Sequence, residues 1–563
     1  MRREASVVNK KVCSFPILFA LLALLIGTCA VVFPASAQAA PTSTGSITVS
    51  GTVARSYDAY QIFSANVVDG DSDAKIATDL AWASDAARDA VLPVLHSAGM
   101  PNSQTTAQEA AEWLNTDSHL TSALSAQLAR SLQSSGAVSV ALNAGTMAEL
   151  PCGYWLIVAD DDAIAQGEAG TAPIMALVGG SALTVKPKAA TPKVAKHVLE
   201  DSAADWQKAA DATVADDLYW RLSATVPAGL TAYDTYTVQF VDTMSAGLDP
   251  SKVVASMRVY AAAGADGGFD AVSAGRDGRA GTEPAKGWTD ITAQCATMVA
   301  ADGKTFTVRT GDLIAALGGA DAFAAGARVV AVYNAPLNSA CNHGIAKGNP
   351  NEVYLRYPRS PFADQSGDAG FTHTPSDDAC AYTWDLALTK RGSDGDKPLA
   401  GAVLSIADDR GRTLAADGTW DADGKATVTT GEDGRVTVSG VDSGKLEVRE
   451  LKAPKGYTAF EGTRSVTVNA EGLDVDQVAA AKPKLTITAE SPLRADSADG
   501  STGSLEASLI NTPTGTPPSI TTGGFMPSTG DMAMYAAAAA AVAGAALIVV
   551  ALLVKRGGGS HKE

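Results

Sequence analysis

The chain has 563 residues, 46% of them hydrophobic but only 6% aromatic, and carries a formal charge of -18. That length exceeds what one core can organise, so two to four domains are expected. The acidic balance argues against nucleic acid as a partner.

At the N-terminus, Arg2, Arg3, Lys10 and Lys11 precede an uncharged apolar run from Phe15 to Phe33. Small-residue cleavage sites follow at Ala35-Ser36-Ala37 and Ala37-Gln38-Ala39, so residues 1–39 read as an export signal. A retained anchor is the competing reading, and a second apolar segment at the other end of the chain makes it the weaker one. Over 45–185, strand-like segments (Ile47 to Val53, Gly153 to Val158) flank a helical middle. Residues 81–96 and 106–132 are Ala-rich with helical spacing. Lys186-Pro187-Lys188 opens a short linker. From 192 to 376, short β-rich runs alternate with Gly, Asp and Asn turns, the pattern of a β-sandwich. A third β-rich unit spans 381–511, and a Pro/Gly linker over 512–525 contains Pro513, Pro517 and Pro518.

Residues 526–563 hold Met526-Pro527-Ser528-Thr529-Gly530, an uncharged stretch from Met532 to Val554, then Lys555 and Arg556. At about 1.5 Å per residue, that stretch covers a hydrocarbon core of about 30 Å. The basic tail keeps the end cytoplasmic. The expected fold is mainly β: tandem immunoglobulin-like β-sandwich domains, with an α+β N-terminal domain and a C-terminal transmembrane helix. The arrangement of motif, helix and basic tail resembles the Leu-Pro-x-Thr-Gly cell-wall sorting signal, with Met526 in place of Leu. The resemblance implies cleavage by a sortase between Thr529 and Gly530, a thioester on Thr529, and transfer to an amine.

Side chains alternate across a strand, so residues of one parity share a face. In the third unit, Trp384, Leu386, Leu388 and Lys390 share one face, as do Leu446, Val448 and Glu450, and Leu505, Ala507, Leu509 and Asn511. Three strands thus each place one polar residue on an apolar face, which is costly unless these residues satisfy one another. Together with Leu399-Ala400-Gly401-Ala402 and Glu450-Leu451-Lys452-Ala453-Pro454-Lys455-Gly456-Tyr457, the set resembles the collagen-adhesin B-type domain. That family forms an intramolecular isopeptide bond. The resemblance implies attack by the Lys390 amine on Asn511, promoted by Glu450, because burial favours a neutral amine and a protonated acid. The alternative is a buried Lys390–Glu450 ion pair, with Asn511 capping the last strand.

In the second unit, Val194, Lys196 and Val198 share a face, as do Val238, Phe240 and Asp242. The segments Trp206-Gln207-Lys208-Ala209-Ala210-Asp211, Asp242-Thr243-Met244-Ser245-Ala246-Gly247-Leu248 and Gly348-Asn349-Pro350-Asn351-Glu352-Val353-Tyr354-Leu355 resemble the middle domain of Gram-positive pilus shaft subunits. Those relatives join a Lys to an Asn beside an Asp, with the Asn after the last motif. Arg359 stands at that place here, which leaves a second bond at Lys196 and Asp242 open. An Arg359–Asp242 ion pair, for which Lys196 competes, is the alternative.

Cys152, Cys295, Cys341 and Cys380 lie beyond the export signal; four cysteines allow three connectivities, and Cys341 with Cys380 is the favoured pair. No metal-ligand spacing, nucleophile motif or phosphate loop is present, so no metal, cofactor or enzymatic role beyond autocatalytic bond formation is implied. Two readings remain. One is a structural subunit of a sortase-polymerised pilus on a Gram-positive cell surface, its partners a sortase, identical subunits and peptidoglycan, with Lys188 as the acceptor amine. That assignment rests on the Tyr-Pro-Lys-Asn motif of related subunits, of which Lys186-Pro187-Lys188-Ala189 keeps Pro-Lys. The other is a monomeric wall-anchored adhesin that binds a host ligand.

Overall fold

The computed structural model describes residues 43–515, apart from 52–54, 72–73, 117–118, 161–163, 165–166, 188–190, 270–283 and 364. The export signal, Lys188, Met526 to Gly530 and the apolar stretch from Met532 to Val554 therefore lie outside the described residues. No helix among the described residues is long and apolar enough to cross a membrane.

The N-terminal unit sets a three-stranded sheet beside a five-stranded one, and three helices pack on the latter through Leu95, Leu114, Leu128 and Leu132. The expected helix over 106–132 is two helices, Ala107–Asn115 and Ser122–Ser134. Thr106 and Glu109 close a reciprocal cap on the first, and Thr121 accepts from the Leu124 N–H to start the second, so the caps divide the Ala-rich run. The preceding helix begins at Asp85 because Ala81 and Trp82 remain in the strand Lys75–Trp82.

The middle unit is a sandwich of a six-stranded and a seven-stranded sheet. Lys193–Glu200, Tyr219–Val226 and Ala327–Asn334 are consecutive in the first; Asn349–Pro358 and Gln239–Met244 are neighbours in the second. Aromatic and aliphatic side chains from both faces fill the space between, including Trp220, Phe240, Phe306, Tyr333 and Leu355. The strand Asp377–Tyr382 also belongs to this sandwich: it pairs antiparallel with Asn349–Pro358 and parallel with Ala209–Asp211. The boundary therefore falls at Thr383 rather than between 376 and 381. Local pattern shows that a strand is present but not which sheet claims it.

The third unit is a smaller sandwich. Its first strand, Trp384–Gly392, lies parallel to its last, Ser504–Pro513, with Lys390 opposite Leu509 and Gly392 opposite Asn511. Gly444–Lys452 runs in the facing sheet.

Candidate functional site

Both sandwiches bury a lysine. In the third unit, inward alternation along Trp384–Gly392 carries Lys390 to full burial. Inward alternation along Gly444–Lys452 and Ser504–Pro513 brings Glu450 and Asn511 to the same place. The Asn511 carboxamide nitrogen donates to both Glu450 oxygens, at 2.9 and 3.0 Å. Lys390 Nζ lies 3.6 Å from Glu450 Oε1 and donates to the Leu509 carbonyl at 3.2 Å. Glu450 is fixed further by the Phe460 N–H at 3.1 Å. Asn511 Oδ1 is buried with no hydrogen-bond partner among the described residues. Burial pushes the Lys390 amine down to about 8, against the opposing pull of Glu450. The three side chains singled out from strand parity thus sit in contact, with the carboxamide nitrogen turned to the acid and its oxygen unpaired.

The middle unit has a different construction. Lys196, Asp242, Tyr333 and Asn351 are all fully buried. Lys196 Nζ donates to Asp242 Oδ2 and, at 2.9 Å, to the Tyr333 hydroxyl. That hydroxyl donates to the same Asp242 oxygen at 3.0 Å and accepts from Asn351 Nδ2 at 2.8 Å. The rings of Trp220 and Tyr333 flank the lysine, with centroids 5.5 and 5.4 Å from Nζ. Asp242 Oδ1 and Asn351 Oδ1 are buried without partners among the described residues. Burial lowers the Lys196 amine to about 8 and raises the Asp242 carboxyl, so both are biased toward their neutral forms.

Two members of this set, Asn351 and Tyr333, are not among the site residues expected from the sequence. Asn351 shares the inward face of Asn349–Pro358 with Val353 and Leu355, so strand parity is sufficient to find it. Arg359 does not reach Asp242. Val353 is the residue opposite Asp242, and Arg359 lies six residues further along the chain, roughly 20 Å away at strand rise. The ion-pair partner of Asp242 is Lys196.

The expected Cys341–Cys380 disulfide is not formed, and Cys152, Cys295, Cys341 and Cys380 are all free thiols. Cys341 packs against the core of the middle sandwich, whereas Cys380 belongs to the apolar cluster shared with the third unit. Burial raises both thiols to about 11.

The described fold is thus mainly β, with two sandwiches that each bury a lysine beside a carboxyl group and an asparagine. Residues 385–482 match the family model described as SpaA, prealbumin-like fold domain. The trypsin-resistant surface T6 protein of Streptococcus pyogenes serotype M6 is 30% identical over 145 residues, which cover 24% of this chain and 25% of that protein. The match therefore spans about a quarter of the length of this curated relative. Among solved structures, the T6 backbone pilin of the same organism aligns over 85% of this chain and 100% of its own, at 17% identity and a TM-score of 0.46. The full-length major pilin SpaD of Corynebacterium diphtheriae aligns over 84% and 98%, at 15% identity and a TM-score of 0.41. The chain is similar to major pilins of Gram-positive bacteria.

Proposed function

We propose that the chain is the shaft subunit of a sortase-assembled pilus, exported, polymerised with identical subunits and finally attached to peptidoglycan. The observation that carries this reading is the buried Lys390–Glu450–Asn511 contact, which is arranged to tie the first and last strands of a domain together. Lys390 gives a proton to Glu450, and its amine attacks Cγ of Asn511. The Nζ–Cγ bond forms, the acid returns a proton to Nδ2, the Cγ–Nδ2 bond breaks with release of ammonia, and the new amide nitrogen gives its surplus proton to Glu450. The unpaired Asn511 oxygen and the acid on its nitrogen both suit this step. In the middle unit, Lys196 and Asn351 form the corresponding bond with Asp242 as the promoting acid. A subunit with both links carries tension through covalent bonds rather than strand hydrogen bonds, as a filament under load requires.

Polymerisation in this reading joins Thr529 of one copy to Lys188 of the next. Lys188 is assigned from the Pro-Lys pair it shares with the acceptor motif of such subunits, whereas Lys196 is fully buried. Substituting Lys188 by Ala is expected to abolish a ladder of SDS-resistant polymers in wall extracts while leaving single copies attached through Thr529. Normal polymerisation of Lys188→Ala contradicts the assignment of the acceptor. A wild-type chain that never forms a ladder in its own host contradicts the shaft reading and favours a solitary adhesin with a host ligand.

A further inference from the structure

The middle site differs from the third-unit site at the contact that matters for proton transfer. Glu450 touches the nitrogen that must leave as ammonia. Asp242 has no such contact: Oδ2 meets Lys196 and Tyr333, and Oδ1 is unpartnered among the described residues. Between acid and carboxamide stands one oxygen, the Tyr333 hydroxyl, within 3.0 Å of Lys196 Nζ, Asp242 Oδ2 and Asn351 Nδ2. We propose that the Tyr333 hydroxyl is a catalytic proton relay between Asp242 and the departing nitrogen of Asn351.

This rests on the reading that the middle unit closes a Lys196–Asn351 bond. Lys196 first passes a proton to Asp242, and its neutral amine then attacks Cγ of Asn351. In the resulting intermediate, the leaving nitrogen has a free lone pair facing the hydroxyl that it previously donated to. Tyr333 gives it the phenolic proton and recovers one from the Asp242 carboxyl; Cγ–Nδ2 breaks and ammonia departs. The new amide nitrogen gives its surplus proton to Asp242, so protons and charge balance with no external reagent. Burial holds the phenol well above its ordinary value, which keeps the proton on Tyr333 until the intermediate calls for it. The ring is held edge-on against Phe306 at 4.8 Å, so its orientation does not depend on the hydroxyl.

Tyr333→Phe removes the relay and leaves the ring. The test is refolding of the chain recovered unfolded and not yet cross-linked from denatured inclusion bodies, quenched at intervals, with Lys196–Asn351 and Lys390–Asn511 cross-linked peptides counted by mass spectrometry and folding followed by circular dichroism. A relay predicts that the middle bond forms about 10²–10⁴-fold more slowly in the variant, long after folding is complete. The third-unit bond in the same molecules keeps its rate. Middle-bond formation at the wild-type rate overturns the relay, as does a slow bond that merely tracks slow folding. A wild-type chain lacking the Lys196–Asn351 link overturns the underlying bond and the relay with it.

Discussion

The two buried lysine sites assemble the same functional groups from opposite directions. In the third unit, nucleophile and carboxamide come from adjacent strands of one sheet, and the acid reaches across the sandwich. In the middle unit, acid and carboxamide share a sheet, and the lysine reaches across. The third-unit geometry puts the acid directly on the carboxamide nitrogen. In the middle unit it leaves a gap that a tyrosine fills. What the two sites share is burial, which lowers both amines to about 8. In the proposed reaction, burial of a lysine sets up the chemistry, while the strand that supplies the acid decides how protons move.

The largest expected effect separates the sites outright. Glu450→Ala should eliminate the Lys390–Asn511 link and leave the Lys196–Asn351 link intact, and Asp242→Ala should do the reverse. Peptide mass spectrometry reads both, and loss of both links from either single substitution contradicts the independence of the sites. Asp242→Ala also strands a fully buried lysine, a loss of about 3–5 kcal/mol that should lower the melting temperature of the middle unit.

Next in size is the response to load. A Lys390–Asn511 bond would enclose nearly the whole third unit, so pulling on the ends should extract almost no length from it. A Lys196–Asn351 bond would leave the strand Asp377–Tyr382 and the loops before it outside the closed segment. The middle unit should therefore yield one short extension, roughly 30 residues or on the order of 100 Å. Lys390→Ala should add a full unfolding step from the third unit, and identical force traces for variant and wild type contradict the cross-link.

Both expectations grow out of patterns legible in the sequence. Strand parity places Lys390, Glu450 and Asn511 on inward faces, and the fold brings them into contact because each lies on a long, regular strand with apolar neighbours on the same side. The same rule places Lys196 and Asp242. It applies equally to Asn351, but the resemblance to pilus shaft subunits led to the expectation of an asparagine later in the chain, at the position Arg359 occupies. Tyr333 is beyond the reach of such a rule: Val329, Ala331 and Tyr333 read as an ordinary apolar face, and nothing local shows that the phenol meets residues from three other strands. The strand Asp377–Tyr382 falls in an unexpected unit for a similar reason, since its partners, Ala209–Asp211 and Asn349–Pro358, are distant in sequence.

A smaller effect is expected from pH. In Asn511→Ala the third-unit bond cannot close, and Lys390 remains an amine held at about 8 rather than 10.5. Between those values the unfolded chain binds a proton that the folded chain does not. The stability of the third unit should therefore rise with pH across this window and fall as pH drops toward 8. Denaturant titrations at pH 8 and 10 check the sign, and a decrease at the higher pH contradicts a depressed lysine. The smallest effect concerns Arg359: Arg359→Ala should leave the middle bond unchanged, because the residue lies past the end of the strand Asn349–Pro358, six residues beyond the one opposite Asp242.

The central claim, that both sandwiches close themselves covalently, is tested most directly by the intact mass of the purified wild-type chain. The account predicts a mass lower by two molecules of ammonia than that calculated for the residues the purified chain retains. A mass equal to the calculated one contradicts it.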